Sequence, residues 1–445
     1  MESKRETLMR KPAPAYGKLK DGEWKKVLTF AEEYKSFLNA GKTERECVAE
    51  ALRQAERHGV PAYTRHNKAV MLIRRGKRPL SDGLRIVAAH IDSPRIDLKP
   101  YPLYEKEGFA LLKTHYYGGI KKYHWLAHPL ELRGVVILRD GTVVTIAPGT
   151  DEPVLFISDV LPHLGKDQEK KTVIEAFPGD NLNVTAGSIP DTEEKEGDDR
   201  VKLAVLSLLH QKYGMTEHDF QSAELCLVPA GSARDAGLDG SMIGGYGHDD
   251  RSCSYAAMRA LFDCDPEYTA VCVLADKEEI GSEGITGMQS AFFDAAAEEL
   301  CAAEQTTLRT CYANSFCFSG DVANAYDPNF ADISDPQNNA RMGHGPCVMK
   351  ATGRGGKSGS SDASAETVGK TRRLLDGAGV CWHMGEMGKV DQGGGGTVAK
   401  FLAMRNIETV DIGVPVLNMH APMEVVAKID CWETYKAFLA LYNDR

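Results

Sequence analysis

Histidine and carboxylate residues recur in five short polar segments of this 445-residue sequence. Zinc binds imidazole and carboxylate groups, and two ions roughly 3.5–4 Å apart require one carboxylate that bridges them. Two histidines and three carboxylates spread over these segments therefore predict a hydrolytic centre with two metal ions. The segments are 90–94 (HIDSP), 247–251 (GHDDR), 276–282 (DKEEIGS), 319–321 (SGD) and 419–422 (MHAP).

The adjacent residues Glu278 and Glu279 suit two different roles in such a centre. Neighbouring side chains on a turn diverge, so one carboxylate can bind metal while the other faces the reacting water as general base. Asp92 follows His90 by two residues, which places it to hold the imidazole or to tune the base. The pattern thus contains ligands, a base and a supporting carboxylate.

Each segment alone also has an ordinary structural explanation. A histidine after a strand can be a satisfied polar residue, and Asp249 and Asp250 could begin a helix, where carboxylates accept free N–H groups. Glu278 and Glu279 could form a solvated pair on a surface turn, and Asp321 could be a turn residue. The recurrence of the pattern at five places favours the metal centre over these separate explanations.

Apolar runs before the polar segments predict the strands that position them. The run 84–89 is almost continuously apolar, which is typical of a strand buried on both faces. Because strands and helices alternate, the sequence predicts an α/β fold with a mainly parallel central sheet flanked by helices. Ligands in such folds bind at the carboxyl ends of the strands. Other predicted strands include 223–229, 268–275, 311–318 and 410–416, and predicted helices include 24–38, 44–58, 249–262, 290–303, 363–375 and 424–442.

The segment from residue 100 to residue 230 differs in character from the rest of the chain. Apolar and polar residues alternate there and turn residues are frequent, which is typical of β-structure. We therefore predict two domains. Residues 1–99 plus 231–445 form the catalytic α/β domain, and residues 100–230 form an inserted β-rich domain.

Composition excludes several classes of function. The 53 Lys and Arg against 63 Asp and Glu give a net charge of −10, whereas surfaces for nucleic acid or anionic membrane need a basic excess. No run approaches the roughly 18 apolar residues of a membrane span, and no secretory signal follows the first residues. Eleven cysteines without a C-x-x-C pair argue against a disulfide framework or a thiolate zinc site. These features predict a cytoplasmic protein.

Six motifs, taken in order along the chain, resemble those of the M18 family of metallo-aminopeptidases. The likeness is to the aspartyl aminopeptidase group, and the bacterial branch is the more similar one. It extends over essentially the whole chain. The motifs are 88–100 (AAHIDSPRIDLKP), 245–258 (GYGHDDRSCSYAAM), 276–290 (DKEEIGSEGITGMQS), 319–330 (SGDVANAYDPNF), 393–401 (GGGGTVAKF) and 418–430 (NMHAPMEVVAKID).

The resemblance implies a role for each candidate site residue. Asp249 would bridge two divalent metal ions per subunit, with zinc favoured and cobalt or manganese also suited to the ligands. A water that bridges the ions would attack the N-terminal residue of a peptide with a free N-terminus. His90 and Asp321 would complete one metal site, Glu279 and His420 would complete the other, Glu278 would be the general base, and Asp92 would support His90.

The resemblance also concerns assembly and substrate preference. The inserted domain would drive dimerisation, and the family commonly builds a dodecamer in which a histidine, here His163, reaches a neighbouring subunit's site and stabilises the oxyanion. Lys350 matches a lysine that binds acidic N-terminal residues. His163 could instead be a polar loop residue, and Lys350 an exposed lysine at a strand end. Acid-preferring members usually carry histidines where this chain has Asn324 and Asp327, which leaves a broader or neutral preference open.

Two other functions compete with the aminopeptidase hypothesis. Another metal-dependent amidohydrolase on the same scaffold, a deacylase or a carboxypeptidase, would need the metals but no N-terminal amine. A non-catalytic assembly protein could carry a relic of the site. The intact set of predicted ligands and base speaks against a relic.

Overall fold

Two compact units make up the computed structural model of the chain, which describes residue 4 and residues 8–9, 13–149 and 151–445. The predicted domain boundaries, after residues 99 and 230, fall close to the junctions between the units at 92/93 and 232/233. Within the described residues, none of the helices has both the length and the hydrophobicity that a membrane span requires. The first unit comprises Met1–Asp92, Ala233–Met419 and Met423–Arg445, and the second comprises Ser93–Ser232 and His420–Pro422.

The helices of the described chain vary from single turns to five turns. Most of them belong to the first unit, and only α3 and α4 belong to the second. They are α1 (Glu23–Ala40), α2 (Glu44–His58), α3 (Val173–Ala176), α4 (Arg200–Tyr213), α5 (His248–Asp263), α6 (Phe292–Ala303), α7 (Leu308–Ala313), α8 (Ala365–Gly377), α9 (Ala399–Ala403) and α10 (Lys428–Tyr442).

The strands form three sheets, two in the first unit and one in the second. They are β1 (Ala62–Arg65), β2 (Ala69–Arg74), β3 (Arg85–His90), β4 (Arg95–Lys106), β5 (Phe109–Tyr117), β6 (Leu130–Ile137), β7 (Val143–Ile146), β8 (Val184–Gly187), β9 (Ala223–Pro229), β10 (Arg234–Ala236), β11 (Met242–Gly245), β12 (Ala270–Ala275), β13 (Phe316–Ser319), β14 (Ala323–Asn324), β15 (Cys347–Met349), β16 (His383–Met384), β17 (Glu408–Gly413), β18 (Pro415–Leu417) and β19 (Glu424–Ala427).

An eight-stranded sheet in the order β1-β2-β12-β3-β13-β17-β15-β16 is the centre of the first unit. Its four middle strands, β12, β3, β13 and β17, run parallel to one another. Antiparallel pairings join β1 to β2, β2 to β12 and β17 to β15. Because the middle strands are parallel, their carboxyl ends meet at one edge, where α/β folds bind their ligands. The predicted α/β fold with a parallel centre is confirmed.

The apolar run of β3 is buried on both faces, as its composition predicts. Val87 and Ala89 belong to a core on one face of the sheet, and Ile86 and Ala88 belong to a core on the other. All four side chains are inaccessible to solvent. Successive side chains of a strand point to opposite faces, so a strand between two cores needs apolar residues at every position.

Helices α1 and α2 cover the first of these faces. The apolar residues of α1 recur at steps of three and four and are buried, which places one stripe of the helix against the core. Helix α2 begins at a capping box in which the Thr43 side chain accepts the Glu46 N–H and the Glu46 carboxylate accepts the Thr43 N–H. The sequence predicts both helices to within two residues at each end.

A second, five-stranded sheet of the first unit has the order β10-β11-β19-β18-β14. It accounts for two differences from the predicted elements. The predicted strand 410–416 is two strands, β17 and β18, and the first four residues of the predicted helix 424–442 are strand β19. Residues 424–427 (EVVA) contain two adjacent β-branched valines, which favours a strand where β11 and β18 offer pairing partners.

A third difference concerns the predicted strand 311–318. The structure has helix α7 up to Ala313 and strand β13 only from Phe316. The Thr307 side chain accepts the Thr310 N–H and caps the helix, which an apolar run does not reveal. Strand β13 nevertheless ends at Ser319, so it brings Asp321 to the carboxyl edge of the sheet as predicted.

The second unit consists of a six-stranded antiparallel sheet with helix α4. Its strand order is β7-β6-β9-β4-β5-β8, and strand β9, the last in sequence, lies between β6 and β4. The alternating pattern of residues 100–230 therefore corresponds to a sheet in which each strand pairs antiparallel to its neighbours.

Candidate metal centre

Two overlapping groups of potential metal ligands lie in the first unit and share His90. One contains His90, Asp249 and Asp321, and the other contains His90, Glu278 and Glu279. In each group the ligand atoms all lie within 4.8 Å of one another. Five of the predicted site residues, separated by up to 231 positions in sequence, are thus brought together at the carboxyl edge of the central sheet.

His90 is the last residue of β3, and its side chain is 1% exposed. Its Nε2 lies 3.1 Å from Asp249 Oδ1 and 3.9 Å from both Asp321 Oδ1 and Glu278 Oε2. Its Nδ1 lies 3.0 Å from the Asp92 carbonyl oxygen and 3.3 Å from Asp92 Oδ1. Because Asp92 occupies the Nδ1 side, the imidazole presents Nε2 to the carboxylates, as metal-binding histidines commonly do.

Helix α5 holds the end of β3 through polar side chains. The Asp250 carboxylate accepts the His90 N–H at 3.4 Å, and the Ser254 hydroxyl donates to the His90 carbonyl oxygen at 2.7 Å. The Arg251 guanidinium, 1% exposed, donates to the Ile91 carbonyl oxygen at 3.3 Å. These contacts fix the backbone from which the His90 imidazole projects.

Asp249 lies at the start of α5 but is not in a helical conformation, with φ −83° and ψ 107°. Its N–H donates to Oε2 of Glu424, a residue of β19 that is 1% exposed, at 3.0 Å. The Asp249 side chain faces His90 Nε2, so it does more than the helix cap that its position alone could explain.

Glu278 and Glu279 belong to a three-residue 3₁₀ helix after β12. The left-handed residues Lys277 and Gly281, at φ 69° and 102°, begin and end this turn. The Asp92 carboxylate is completely buried and accepts both N–H groups of the pair, that of Glu278 at 3.1 Å and that of Glu279 at 3.2 Å. Asp92 therefore holds the backbone of the turn as well as His90.

Asp321 follows β13, and its carbonyl oxygen lies close to Gly413 of β17. A Cβ atom at position 413 would lie 1.7 Å from that oxygen, so only glycine allows this approach. The Asp321 side chain is largely buried, at 12% exposure, and faces His90.

The electrostatics of the centre are those of a cation site. Burial raises the pKa of Asp321 well above its usual range; His90 opposes this shift, and Asp250, Asp249 and Glu278 add to it. Burial lowers the pKa of His90, but the hydrogen bonds to Asp249 and Asp92 outweigh it, so the pKa lies well above its usual value. Several buried carboxylates around one imidazole repel one another, and divalent cations with these preferred ligands would relieve that repulsion. The donor set therefore fits zinc.

His420 falls in the short segment 420–422 that belongs to the second unit. Its backbone is left-handed, with φ 67°, and its Nδ1 lies 2.7 Å from the Gly119 carbonyl oxygen. A carbonyl partner on Nδ1 is the usual arrangement for a histidine that binds metal through Nε2.

Lys350 and His163 are exposed and belong to neither ligand group. Lys350 is the residue after β15, a strand that runs antiparallel to β17. His163 lies in a 3₁₀ helix, Pro162–Asp167, of the second unit. Their roles in substrate preference and in a neighbouring subunit's site stay predictions.

Sequence reasoning missed several residues that hold the ligands in place. Asp250, Ser254 and Glu424 each bond the backbone of a predicted ligand. The two acidic residues lie inside motifs that the sequence displays, GHDDR and NMHAPME. Their hydrogen bonds could not be predicted from the sequence, because each reaches a backbone N–H 160 to 175 positions away. Contacts at that separation produce no regular spacing of residue types.

The chain is similar to known proteins of one family. The family described as aminopeptidase I zinc metalloprotease (M18) matches residues 37–442. A probable M18 family aminopeptidase 1 of Clostridium acetobutylicum is 41% identical over 98% of this chain and 99% of its own length. Its counterpart in Thermotoga maritima is 44% identical over 93% of this chain and 96% of its own length. The crystal structure of an M18 aminopeptidase from Thermotoga maritima matches with a TM-score of 0.94 at 40% identity, covering 98% of this chain and 100% of that chain.

The fold and the site define a metal-dependent peptidase of the α/β class. The chain belongs to the M18 family of zinc metalloproteases. It is a metallo-aminopeptidase that acts on peptides.

Proposed function

We propose that this aminopeptidase is a dinuclear enzyme in which Asp249 bridges two divalent metal ions. The observation that carries the proposal is the overlap of two ligand groups at His90, with His90 Nε2 within 3.9 Å of three different carboxylates. The two groups together contain five potential ligands, which is more than the four that one tetrahedral ion binds.

The two sites share Asp249 and differ in their other ligands. His90 and Asp321 complete one site, which the mutual distances within the first ligand group support. Glu279 and His420 complete the other. For Glu279 the support is its membership of the second group. For His420 it is the hydrogen bond between Nδ1 and the Gly119 carbonyl oxygen, an arrangement usual for a histidine that binds metal through Nε2.

Glu278 is the general base in this proposal. Two bound cations would acidify the attacking water and polarise the carbonyl group of the N-terminal residue. Glu278 accepts the proton of that water and then delivers it to the leaving amine. The Glu278 side chain is partly exposed, whereas Asp92 below it is completely buried. A base with access to the cleft and a backbone held by Asp92 fits this transfer.

Substrate preference and assembly extend the proposal. Lys350 would pair with an acidic N-terminal side chain, as the family resemblance implies. The enzyme would act in the cytoplasm as a dimer-built dodecamer, with His163 reaching a neighbouring subunit's site. Exposed apolar residues of the second unit support an interface there, among them Leu164 at 72% and Ile174 at 78% exposure.

Replacement of the base tests the mechanism. We expect Glu278→Gln to lower kcat about 10²–10⁴-fold, because an amide cannot accept the proton. Zinc content, measured by mass spectrometry of the purified protein, should stay at the wild-type value. Glu283→Gln is the matched control, since Glu283 is exposed on the same loop. Full turnover by Glu278→Gln would contradict the role of Glu278.

A panel of peptides tests the substrate. An aminopeptidase should cleave a free peptide and leave its N-acetylated twin intact, whereas a deacylase would attack the blocked one. Peptides that differ only in an N-terminal Asp, Leu or Lys separate acidic preference from a broader one. If Lys350 binds an acidic side chain, Lys350→Ala should lose the preference for N-terminal Asp. Its cleavage of Leu peptides should stay unchanged.

A further inference from the structure

A buried ion cluster lies at the base of the loop that carries Glu278 and Glu279. Lys68, which precedes β2, places its Nζ 3.1 Å from Glu44 Oε1 and 3.5 Å from Asp276 Oδ2. The three residues are 7%, 4% and 1% exposed. One ammonium group thus links two buried carboxylates, one from the first residue of α2 and one from the residue after β12.

Asp276 also closes the loop that begins two residues before Glu278. The Thr286 hydroxyl donates to Asp276 Oδ2 at 2.6 Å, and the Asp276 N–H donates to the Thr286 carbonyl oxygen at 3.3 Å. Thr286 is 3% exposed. The two ends of the segment 276–286 are therefore joined through one carboxylate, which Lys68 in turn connects to the helical layer.

The loop depends on these contacts because it has little regular structure of its own. Its only regular element is the three-residue 3₁₀ helix, and four of its residues, Lys277, Gly281, Ser282 and Gly284, have positive φ. Asp92 holds the tip of the loop through the N–H groups of Glu278 and Glu279. Asp276 holds its base. A catalytic group on a loop needs such support, since a displacement of about 1 Å can cost about 10²-fold in rate.

We propose that Lys68, Asp276 and Thr286 are positioning residues for the reaction, and that they set the position of Glu278 by fixing the base of its loop. This inference rests on the proposed role of Glu278 as general base. None of the three residues touches the reacting groups. Their effect is on kcat, because the position of the base matters in the transition state more than in substrate binding.

The hydroxyl of Thr286 offers an isosteric test. Thr286→Val keeps the shape of the side chain but removes the donor to Asp276, and Thr286→Ser keeps the donor. We expect Thr286→Val to lower kcat about tenfold with KM within about twofold, and Thr286→Ser to stay within about twofold of wild type. Wild-type kcat in Thr286→Val would overturn the proposal, and so would an equal loss in both variants.

Lys68→Met provides a second test with a direct structural readout. This change removes the ammonium group that pairs with both buried carboxylates; the Lys277 Nζ, 3.9 Å from Asp276 Oδ2, is a more distant and more exposed cation. Hydrogen exchange in the segment 276–289 should therefore accelerate, and kcat should fall at least about tenfold. The matched control is Asp444→Asn, which breaks the largely buried Arg85–Asp444 pair at the first residue of β3. It should lower the melting temperature without changing kcat or exchange in 276–289. Equal losses of kcat in Lys68→Met and Asp444→Asn would show general destabilisation and overturn the proposal.

The outcomes separate this inference from the proposed function. If Glu278→Gln is inactive while Thr286→Val and Lys68→Met have wild-type kcat, the positioning role is wrong and the general base stands. If Glu278→Gln keeps full activity, both are wrong.

Discussion

The two units of this protein differ most clearly in the carboxylates that they bury. The first unit buries charge: Asp92 and Asp250 are completely inaccessible, and Asp276 is 1% exposed. The second unit exposes apolar surface, with Ile174 at 78% and Ile189 at 74% exposure. Both features cost free energy in an isolated chain, because buried charge loses hydration and exposed apolar area orders water. In the proposed function, metal ions would offset part of the first cost and another subunit would offset part of the second.

The proposed function assigns a different kind of group to each unit. The first unit would contribute the potential metal ligands at the carboxyl edge of the central sheet. The second unit would contribute exposed apolar side chains that a partner subunit covers. A change to one kind of feature, compared with a matched change elsewhere in the chain, separates these two contributions.

The largest effect is expected from His90→Ala, which removes the imidazole shared by both ligand groups. We expect kcat/KM to fall at least about 10³-fold and bound zinc to decrease, because the remaining carboxylates lose their common neighbour. Metal analysis and peptide hydrolysis measure the two quantities on the same sample. His218→Ala, on an exposed histidine of the second unit, is the control and should change neither. Full zinc content in His90→Ala would contradict the proposed site.

A smaller effect is expected from a charge placed on the exposed apolar surface of the second unit. Wild-type protein should elute far above the 48.6 kDa of one chain, and Ile174→Glu should elute at a smaller size, because an interface cannot bury an unpaired carboxylate without cost. Size-exclusion chromatography with light scattering measures both. Met404→Glu changes an equally exposed apolar residue of the first unit, at 81% exposure, and should leave the size unchanged. A wild-type monomer with full activity would contradict the assembly and the role of His163 together.

The smallest effect concerns a buried carboxyl of the first unit that is satisfied without metal. Asp430 accepts the N–H groups of Gly343 and Gly345, each at 2.7 Å, and burial raises its pKa from 3.8 to about 8. Between about pH 4 and pH 8 the folded protein therefore keeps a proton on Asp430 that the unfolded chain has already released. The contribution of this proton to the free energy of unfolding is complete below about pH 4. It decreases as the pH rises and is lost once the pH has passed about 8.

We expect the wild-type melting temperature to fall by several degrees between pH 6 and pH 9, as the Asp430 carboxyl becomes charged in the core. Asp430→Asn should start from a lower melting temperature, since an amide can accept only one of the two N–H groups. Its dependence on pH should be weaker over the same interval. Calorimetry at four pH values checks the slopes, with the exposed Asp332→Asn as control. Parallel slopes in wild type and Asp430→Asn would contradict the assignment.

Much of the fold follows from local patterns. The spacing of apolar residues identifies α1 and α2, and the continuous apolar run identifies β3. Apolar residues recur every three or four positions in a helix that is buried on one face, whereas they are continuous in a strand that is buried on both. The elements that were misassigned, β19 and α7, are short and depend on neighbours. Residues 424–427 become a strand because β11 and β18 pair with them from distant parts of the sequence.

The candidate site, like the fold, could be predicted from the sequence only in part. His90, Asp249, Glu278, Glu279 and Asp321 were recognisable because each follows a strand or begins a helix, where the fold class places ligands. The sequence predicted that these five residues lie close together, and the structure brings them to one edge of the sheet. His163 and Lys350 are exposed and belong to neither ligand group, so their roles stay predictions from the family resemblance.

By itself the sequence determined the fold class, the family and the types of ligand, because these are carried by residue identity, spacing and order along the chain. Only the tertiary structure decided which groups hold those ligands in place. Asp92 binds the backbone of Glu278 and Glu279, and Glu424 binds that of Asp249, across separations of 175 to 187 positions in sequence. A hydrogen bond between such distant segments depends on how the elements pack, and packing leaves no local signature in either segment.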